Sequence, residues 1–259
     1  MRKRSIRSLW GVSFALLLYA VPSWAGETTI AAASNLSFAF KEVISSFEKK
    51  TGDRVKLSLG SSGNFYAQIE NGAPFDLFFS ADVEYPKKLE GAGLIEPGTL
   101  YRYAIGRIVV WAPKESPVDV GKLEVKALLE GSVKKIAIAN PKHAPYGRAA
   151  VEAMNHFNLY DRVKDKLVFG ENVSQAAQFV ESGAAELGII PLSLALAPTL
   201  KERGRYWEVP ETAHQPLEQA AVILKQAKNP GGARAFLLFL QEPEAREMMN
   251  KYGFTAPGR

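Results

Sequence analysis

The 259-residue chain contains no cysteine. That absence excludes disulfides, thiolate catalysis, zinc–thiolate centres and a lipid anchor on a cysteine. Histidine is scarce, with only His143, His156 and His214, and their spacing offers no H-x-x-x-H or H-E-x-x-H metal site. No G-x-x-x-x-G-K-[ST] run is present, so a nucleotide phosphate has no loop to occupy. Charge of one sign is also lacking. The formal balance is +5, from 32 basic and 27 acidic residues, but Arg2, Lys3, Arg4 and Arg7 sit at the very start. Without those four, 28 basic residues face 27 acidic ones, and a net charge of +1 gives no argument for nucleic acid or anionic lipid.

What is present begins with that basic start. An apolar run from Leu9 to Val21 follows, then Pro22 and Ser23-Trp24-Ala25. Small residues at minus three and minus one after such a run read as a secretory signal peptide, residues 1–25, cut after Ala25. The run is shorter than the ~20 residues a membrane span needs. The remainder is expected to be a soluble exported protein, most simply periplasmic, of one large or two small domains.

Strand-like runs alternate with helical patterns along the rest, which predicts an α/β fold of mixed sheets flanked by helices. Strands are expected near 28–33, 54–59, 75–80, 102–112, 135–139, 166–169, 186–190, 205–209 and 218–224. Leu36, Phe40, Val43, Ile44 and Phe47 fall on one face of a helix that ends at Lys49, Lys50 and Gly52. Further helices are expected after Gly63 and at 84–91, 147–158, 173–182, 231–241 and 243–251. Two long strands, RYAIGRIVVWAP (102–113) and LEQAAVILK (217–225), bracket a middle segment with its own strands and helices and read as the paired crossovers of the chain. They predict two lobes: residues 26–106 with 217–259 as the first, and residues 107–216, inserted, as the second.

Four strand-to-helix junctions carry small or polar donors: Ala31-Ala32-Ala33-Ser34-Asn35, Gly60-Ser61-Ser62-Gly63, Asn140 to Gly147 (NPKHAPYG), and Gly170-Glu171-Asn172-Val173-Ser174-Gln175. Ser34 or Asn35 is the natural N-cap of the first helix. Asn172 with Gln175 resembles a capping box, which makes Val173 the first helical residue with an uncommitted N–H. Helix N-termini carry unsatisfied donors and partial positive charge, so several aimed at one point bind an anion without a charged side chain. Two junctions lie in each predicted lobe, and ligands of open α/β sheets settle at strand carboxyl ends. Capping alone would also account for any single junction.

Enzymatic readings fare worse. GSSG lacks the spacing of a G-x-S-x-G elbow. Among the histidines only His143 lies in a junction; His156 reads as surface and His214 as a polar loop. Arg148, in the first turn of its helix, reads as solvated rather than as a counter-ion. Tyr101 and Tyr103 read as strand alternation rather than as iron ligands.

AAASNL, GSSGNFYAQIENGAPFDLFFSAD, IAIANPKHAPYGRAA, ENVSQAAQFVESGAAELGI and the terminal KYGF together resemble the molybdate-binding periplasmic components of bacterial ABC transporters, over about residues 26–256. The resemblance implies a two-lobed periplasmic binding protein-like II fold closing over one tetrahedral oxyanion, molybdate or tungstate. It implies a monomer with no enzymatic activity and no cofactor, in which molybdenum enters only as the oxyanion, delivered to a membrane permease. The implied contacts are Ser34, Ser62, Tyr146 and the N–H of Val173, supported by Ser61, Gly60, Gly63 and Asn172. Many members carry a tyrosine after LGI, where this chain has Pro191; Asn35 is the expected replacement contact. Gly60 and Gly63 are expected to leave room for the anion beside the backbone. Glu84, Lys87, Lys88 and Glu181 are candidate permease contacts. A site of donors alone disfavours a protonated phosphate, whereas sulfate has to be discriminated by cavity size. The alternatives are a binding protein for sulfate or another oxyanion, and an exported hydrolase or phosphatase acting on a small acidic substrate.

Overall fold

The computed structural model describes residues 26–257; the expected signal peptide lies outside them. Ten strands are present: β1 (Glu27–Ala33), β2 (Arg54–Gly60), β3 (Leu77–Ser80), β4 (Tyr101–Gly106), β5 (Ile108–Pro113), β6 (Ile136–Ala139), β7 (Leu167–Gly170), β8 (Leu187–Pro191), β9 (Gly204–Glu208) and β10 (Leu217–Ile223). They form two five-stranded sheets, in the orders β2-β1-β3-β10-β4 and β7-β6-β8-β5-β9. Each is mixed. In the first, β1 runs parallel to β2 and β3 while β10 is antiparallel to β3 and β4; in the second, β6 is parallel to β7 and β8 while β5 is antiparallel to β8 and β9.

The run 102–113 is not one strand, as its unbroken pattern implied. It splits at Arg107: β4 stays in the first sheet and β5 belongs to the second, so the chain crosses between sheets there. The return crossing is the segment 209–216, not the strand after it, because β10 lies wholly in the first sheet. Both crossings are adjacent, since Leu217 opposes Gly106 in the β10–β4 ladder.

The expected helices form at Ser37–Thr51, Ser62–Glu70, Glu84–Gly91, Pro145–His156, Val173–Glu181, Pro230–Phe239 and Pro243–Lys251. Gly52 ends the first in a left-handed conformation at φ 80°, as its place after Lys49 and Lys50 implied. The first sheet buries Phe40, Phe47, Phe79 and Phe236 on one face, with edge-to-face ring pairs at 4.9 Å (Phe40–Phe79) and 5.1 Å (Phe47–Phe236). Around the second sheet the core is mainly aliphatic, with Trp111 and Tyr146 as its buried rings.

Asp76, just before β3, is tied to β1 and to the start of the helix Pro230–Phe239. Its Oδ2 accepts from the Thr29 N–H at 2.6 Å and the Thr29 hydroxyl at 2.7 Å, and its Oδ1 accepts from the Asn229 N–H at 2.9 Å. Burial pushes this carboxyl up, but the bonds donated by Asn229 and Thr29 outweigh that and hold it below its ordinary value. A carboxyl depressed in the folded state stabilises the fold above its unfolded pKa, and that stability is lost as pH falls through the folded value. Asp76→Asn is therefore expected to cost about 1–3 kcal/mol at neutral pH, with the deficit shrinking on acidification. Denaturant unfolding of both proteins across pH checks this; a deficit constant with pH would refute the charged role.

Candidate functional site

Neighbouring parallel strands end level with each other in both sheets. Ala33 opposes Gly60 at the ends of β1 and β2, and Ala139 opposes Gly170 at the ends of β6 and β7. Each is followed by one of the four junctions read from the sequence, and all four meet. A cavity of about 10 Å³ is lined by residues that include Ser34, Asn35, Gly60, Ser61 and Ser62 from one side and Tyr146, Asn172 and Val173 from the other. No lining side chain is charged. Ordinary small-molecule pockets are roughly 300–1,000 Å³, so this one has room for an ion of a few atoms at most.

The donors have local causes. Ser62 and Val173 open their helices, and Tyr146 follows Pro145 in the first turn of its own. Backbone N–H groups there have no partner inside the helix. Ser61 caps the Ser62–Glu70 helix, accepting from the Asn64 N–H at 3.4 Å, and Asn172 accepts from the Ser174 and Gln175 N–H groups at 3.0 and 3.1 Å, as its spacing implied. Gln175 in turn accepts from the N–H of Glu171, one residue earlier than a capping box would have it. The Ser62 hydroxyl is fully buried and accepts from the Ala81 N–H at 2.9 Å, which leaves its own hydrogen for a ligand.

Three expectations need correction. Neither Ser34 nor Asn35 caps the first helix: Ser34–Leu36 forms a turn of 3-10 helix, and no side chain caps the helix that starts at Ser37. The Ser34 hydroxyl instead reaches the other lobe, donating to Asn172 Oδ1 at 3.2 Å and accepting from the Ser174 N–H at 3.4 Å. Gly60 lines the cavity but Gly63 does not. The missing side chain of Gly63 admits His143, whose carbonyl accepts the Gly63 N–H at 2.9 Å; a Cβ would lie 2.8 Å from that oxygen. Arg148 is neither a ligand nor simply solvated, since it pairs across the lobes with Asp82 and lies over the Tyr85 ring.

Pro191 closes β8 opposite Ile108 and does not line the cavity. Close by in sequence, the buried Ser193 hydroxyl donates to the Asn35 carbonyl at 2.8 Å. The Asn35 side chain is 1% exposed and belongs to a buried cluster that the motifs did not reveal. Gln219 sits at its centre: its Oε1 lies 2.9 Å from Asn35 Nδ2 and 2.8 Å from the Tyr103 hydroxyl, and its Nε2 lies 2.9 Å from the Tyr146 hydroxyl. Tyr103 is thus more than strand alternation. Burial pushes both phenols up, well beyond the physiological range, so each remains a neutral O–H. The available signal was Gln219 itself, a polar residue at an inward position of the strand Leu217–Ile223, directly before the apolar run AAVIL.

Ser61, His143 and Glu171 fall in the order hydroxyl, imidazole, carboxylate, with His143 Nδ1 2.9 Å from Ser61 Oγ and Nε2 3.6 Å from Glu171. Their geometry departs from that of a hydrolase triad. The hydroxyl is 4% exposed and committed as a helix cap, and the carboxylate stands beyond hydrogen-bond length. The contact joins the lobes, as Asp82–Arg148 does.

The geometry has counterparts in known proteins. A family model described as bacterial extracellular solute-binding protein matches residues 28–255. The chain is 40% identical over 236 residues to the molybdate-binding protein ModA of Rhodobacter capsulatus, covering 91% of each. It is also 40% identical to the ModA of Azotobacter vinelandii, covering 92% of this chain and 93% of that one. The solved structure of the Azotobacter vinelandii periplasmic molybdate-binding protein superposes with a TM-score of 0.84 at 35% identity, over 89% of this chain and all of that one.

Gly106 provides a test of how the lobes meet. A Cβ there would fall 2.1 Å from the Tyr146 hydroxyl and 2.4 Å from Gln219 Nε2. Gly106→Ala is expected to fold but to hold the lobes apart, raising the radius of gyration in small-angle scattering. A curve identical to that of the unmodified protein would mean that the tyrosine moves aside freely.

Proposed function

The chain belongs to the bacterial extracellular solute-binding protein family, and from that premise we propose that it captures molybdate between its lobes and hands it to the membrane permease of an ABC transporter. The observation that carries this reading is the cavity fed by four helix or turn starts from two sheets, without a cationic side chain. A fully deprotonated dianion supplies acceptors to every donor there. Tungstate has the same charge and shape and is expected to bind as well.

In this reading Ser34, Asn35, Ser62, Tyr146 and Val173 contact the anion, Tyr146 and Val173 through backbone N–H groups in the first turns of their helices. Ser61 and Asn172 fix two of those helix starts. Residues 26–106 with 217–259 act as one lobe and 107–216 as the other, turning about Arg107 and the segment 209–216. A buried donor left without a partner costs roughly 1–3 kcal/mol, so closure over an empty site is penalised and the anion shifts the population toward the closed form. Export follows from the leader at residues 1–25, with the mature protein working in the periplasm as a monomer. Among the described residues no helix is long and apolar enough to cross a membrane. The exposed Glu84, Lys87, Lys88 and Glu181 are available to the permease.

Isothermal titration of residues 26–259 with molybdate, tungstate, sulfate and phosphate tests the ligand. One-to-one binding of the first two, at least about 100-fold tighter than the others, is expected; silence toward all four would overturn the assignment. Ser62→Ala removes a donor that meets the anion directly and is expected to weaken molybdate binding by about 10-fold or more. Ser34→Ala also breaks the bond to Asn172 and is expected to act mainly by speeding dissociation, which stopped-flow displacement reads.

A further inference from the structure

Counting hydrogens in the buried cluster leads to one more residue. As placed, the single hydrogen of Tyr103 faces two acceptors, Ser80 O at 3.0 Å and Gln219 Oε1 at 2.8 Å. The Tyr146 hydroxyl meets two donors, Asn35 Nδ2 at 3.3 Å and Gln219 Nε2 at 2.9 Å. Asn35 Oδ1 is buried with no donor at all. An unpaired acceptor on a residue lining an anion cavity is wrong in sign for the ligand, and it would favour a protonated oxyanion such as hydrogen phosphate.

A half-turn of both carboxamides exchanges oxygen for nitrogen without changing their shape. Tyr103 then donates only to Ser80 O. Gln219 Nε2 donates to the Tyr103 oxygen and to Asn35 Oδ1, while Tyr146 donates to Gln219 Oε1. Each donor among these groups then has an acceptor, with Tyr146 directed to the nearer Gln219 oxygen at 2.9 Å rather than to Asn35 Oδ1 at 3.3 Å, and the remaining unpaired group is Asn35 Nδ2, now a donor. We infer that Gln219 is a positioning residue for specificity: in the anion-bound protein it holds the Asn35 carboxamide with its N–H toward the ligand, so that fully deprotonated oxyanions are accepted and hydrogen phosphate is refused.

The location of Gln219 suits that role. It is fully buried on β10, beside the register shift at Gln219/Ala220 and close to the crossing at Gly106. It touches Asn35 and Tyr103 of one lobe and Tyr146 of the other, so its bond to Tyr146 requires closed lobes. The orientation that selects the anion is therefore completed by closure.

The inference rests on Asn35 being an anion contact, and a double-mutant cycle separates the two claims. Gln219→Met keeps the length of the side chain and removes its hydrogen bonds. With Asn35 present, it is expected to weaken molybdate binding about 10-fold and to lower the molybdate-to-phosphate affinity ratio by a similar factor. In an Asn35→Ala background the same change is expected to matter less than about threefold. Strictly additive losses would reduce Gln219 to a structural residue and overturn the inference. Full affinity in Asn35→Ala alone would instead overturn the site reading. If Gln219→Met unfolds, Tyr103→Phe removes the oxygen that receives Gln219 Nε2 and is expected to lower the same ratio. Side-chain amide NMR of the intact protein gives an independent readout: the Asn35 NH₂ pair should shift on adding molybdate and lose that response in Gln219→Met. An unshifted Asn35 pair in a protein that binds molybdate would overturn the inference.

Discussion

A helix cannot satisfy its own first N–H groups, and that constraint organises this molecule. In each sheet two adjacent parallel strands stop at the same level, Ala33 beside Gly60 and Ala139 beside Gly170, and every chain that leaves them turns into a helix or a tight turn. The free donors are thereby delivered to one small space from two directions. Fixed dipoles of this kind hold an anion without the desolvation that a buried lysine or arginine would demand. They also leave the space with little to pair with when it is empty, so binding and closure are linked.

The lobes meet through a second set of contacts around that space. Ser34 engages Asn172 and Ser174, the Gly63 N–H reaches the His143 carbonyl, and Arg148 pairs with Asp82. Arg148 and Asp82 are each partly or largely buried, so the pair is worth more than an exposed one yet carries its own desolvation cost. Gly63, His143, Arg148 and Asp82 lie outside the proposed set of anion contacts and join the two halves directly. Gly63 and Gly106 serve that contact by lacking a side chain, one to admit His143 and the other to admit the Tyr146 hydroxyl.

The crossing between the sheets and the proposed site share atoms. Gln219 lies in the strand beside the crossing and bonds to Asn35 and Tyr146, so the proposed hinge is adjacent to the residue proposed to orient a ligand contact. Pro191 offers neither an N–H nor a hydroxyl, and in the proposed site Asn35 is the contact that replaces it. The buried Ser193 hydroxyl, two residues further on, braces the Asn35 backbone from that side.

Sequence alone determined what depends on neighbours along the chain. Apolar spacing located the long helices, Gly52 ended the first of them, and Asn172 announced its cap, because a capping side chain meets N–H groups only two or three residues away. The five motifs also identified the family. Tertiary structure alone decided what depends on distant parts of the chain. The run 102–113 read as one strand because its pattern is continuous, and only pairing with distant strands divides it into β4 and β5 in different sheets. Ser34 gave up its expected capping role because a residue 138 positions away offered its hydroxyl a partner. Gln219 acquired a purpose only when Asn35, Tyr103 and Tyr146 were folded against it: a polar side chain in an apolar strand signals that partners exist, but hydrogen bonds across the fold decide which ones.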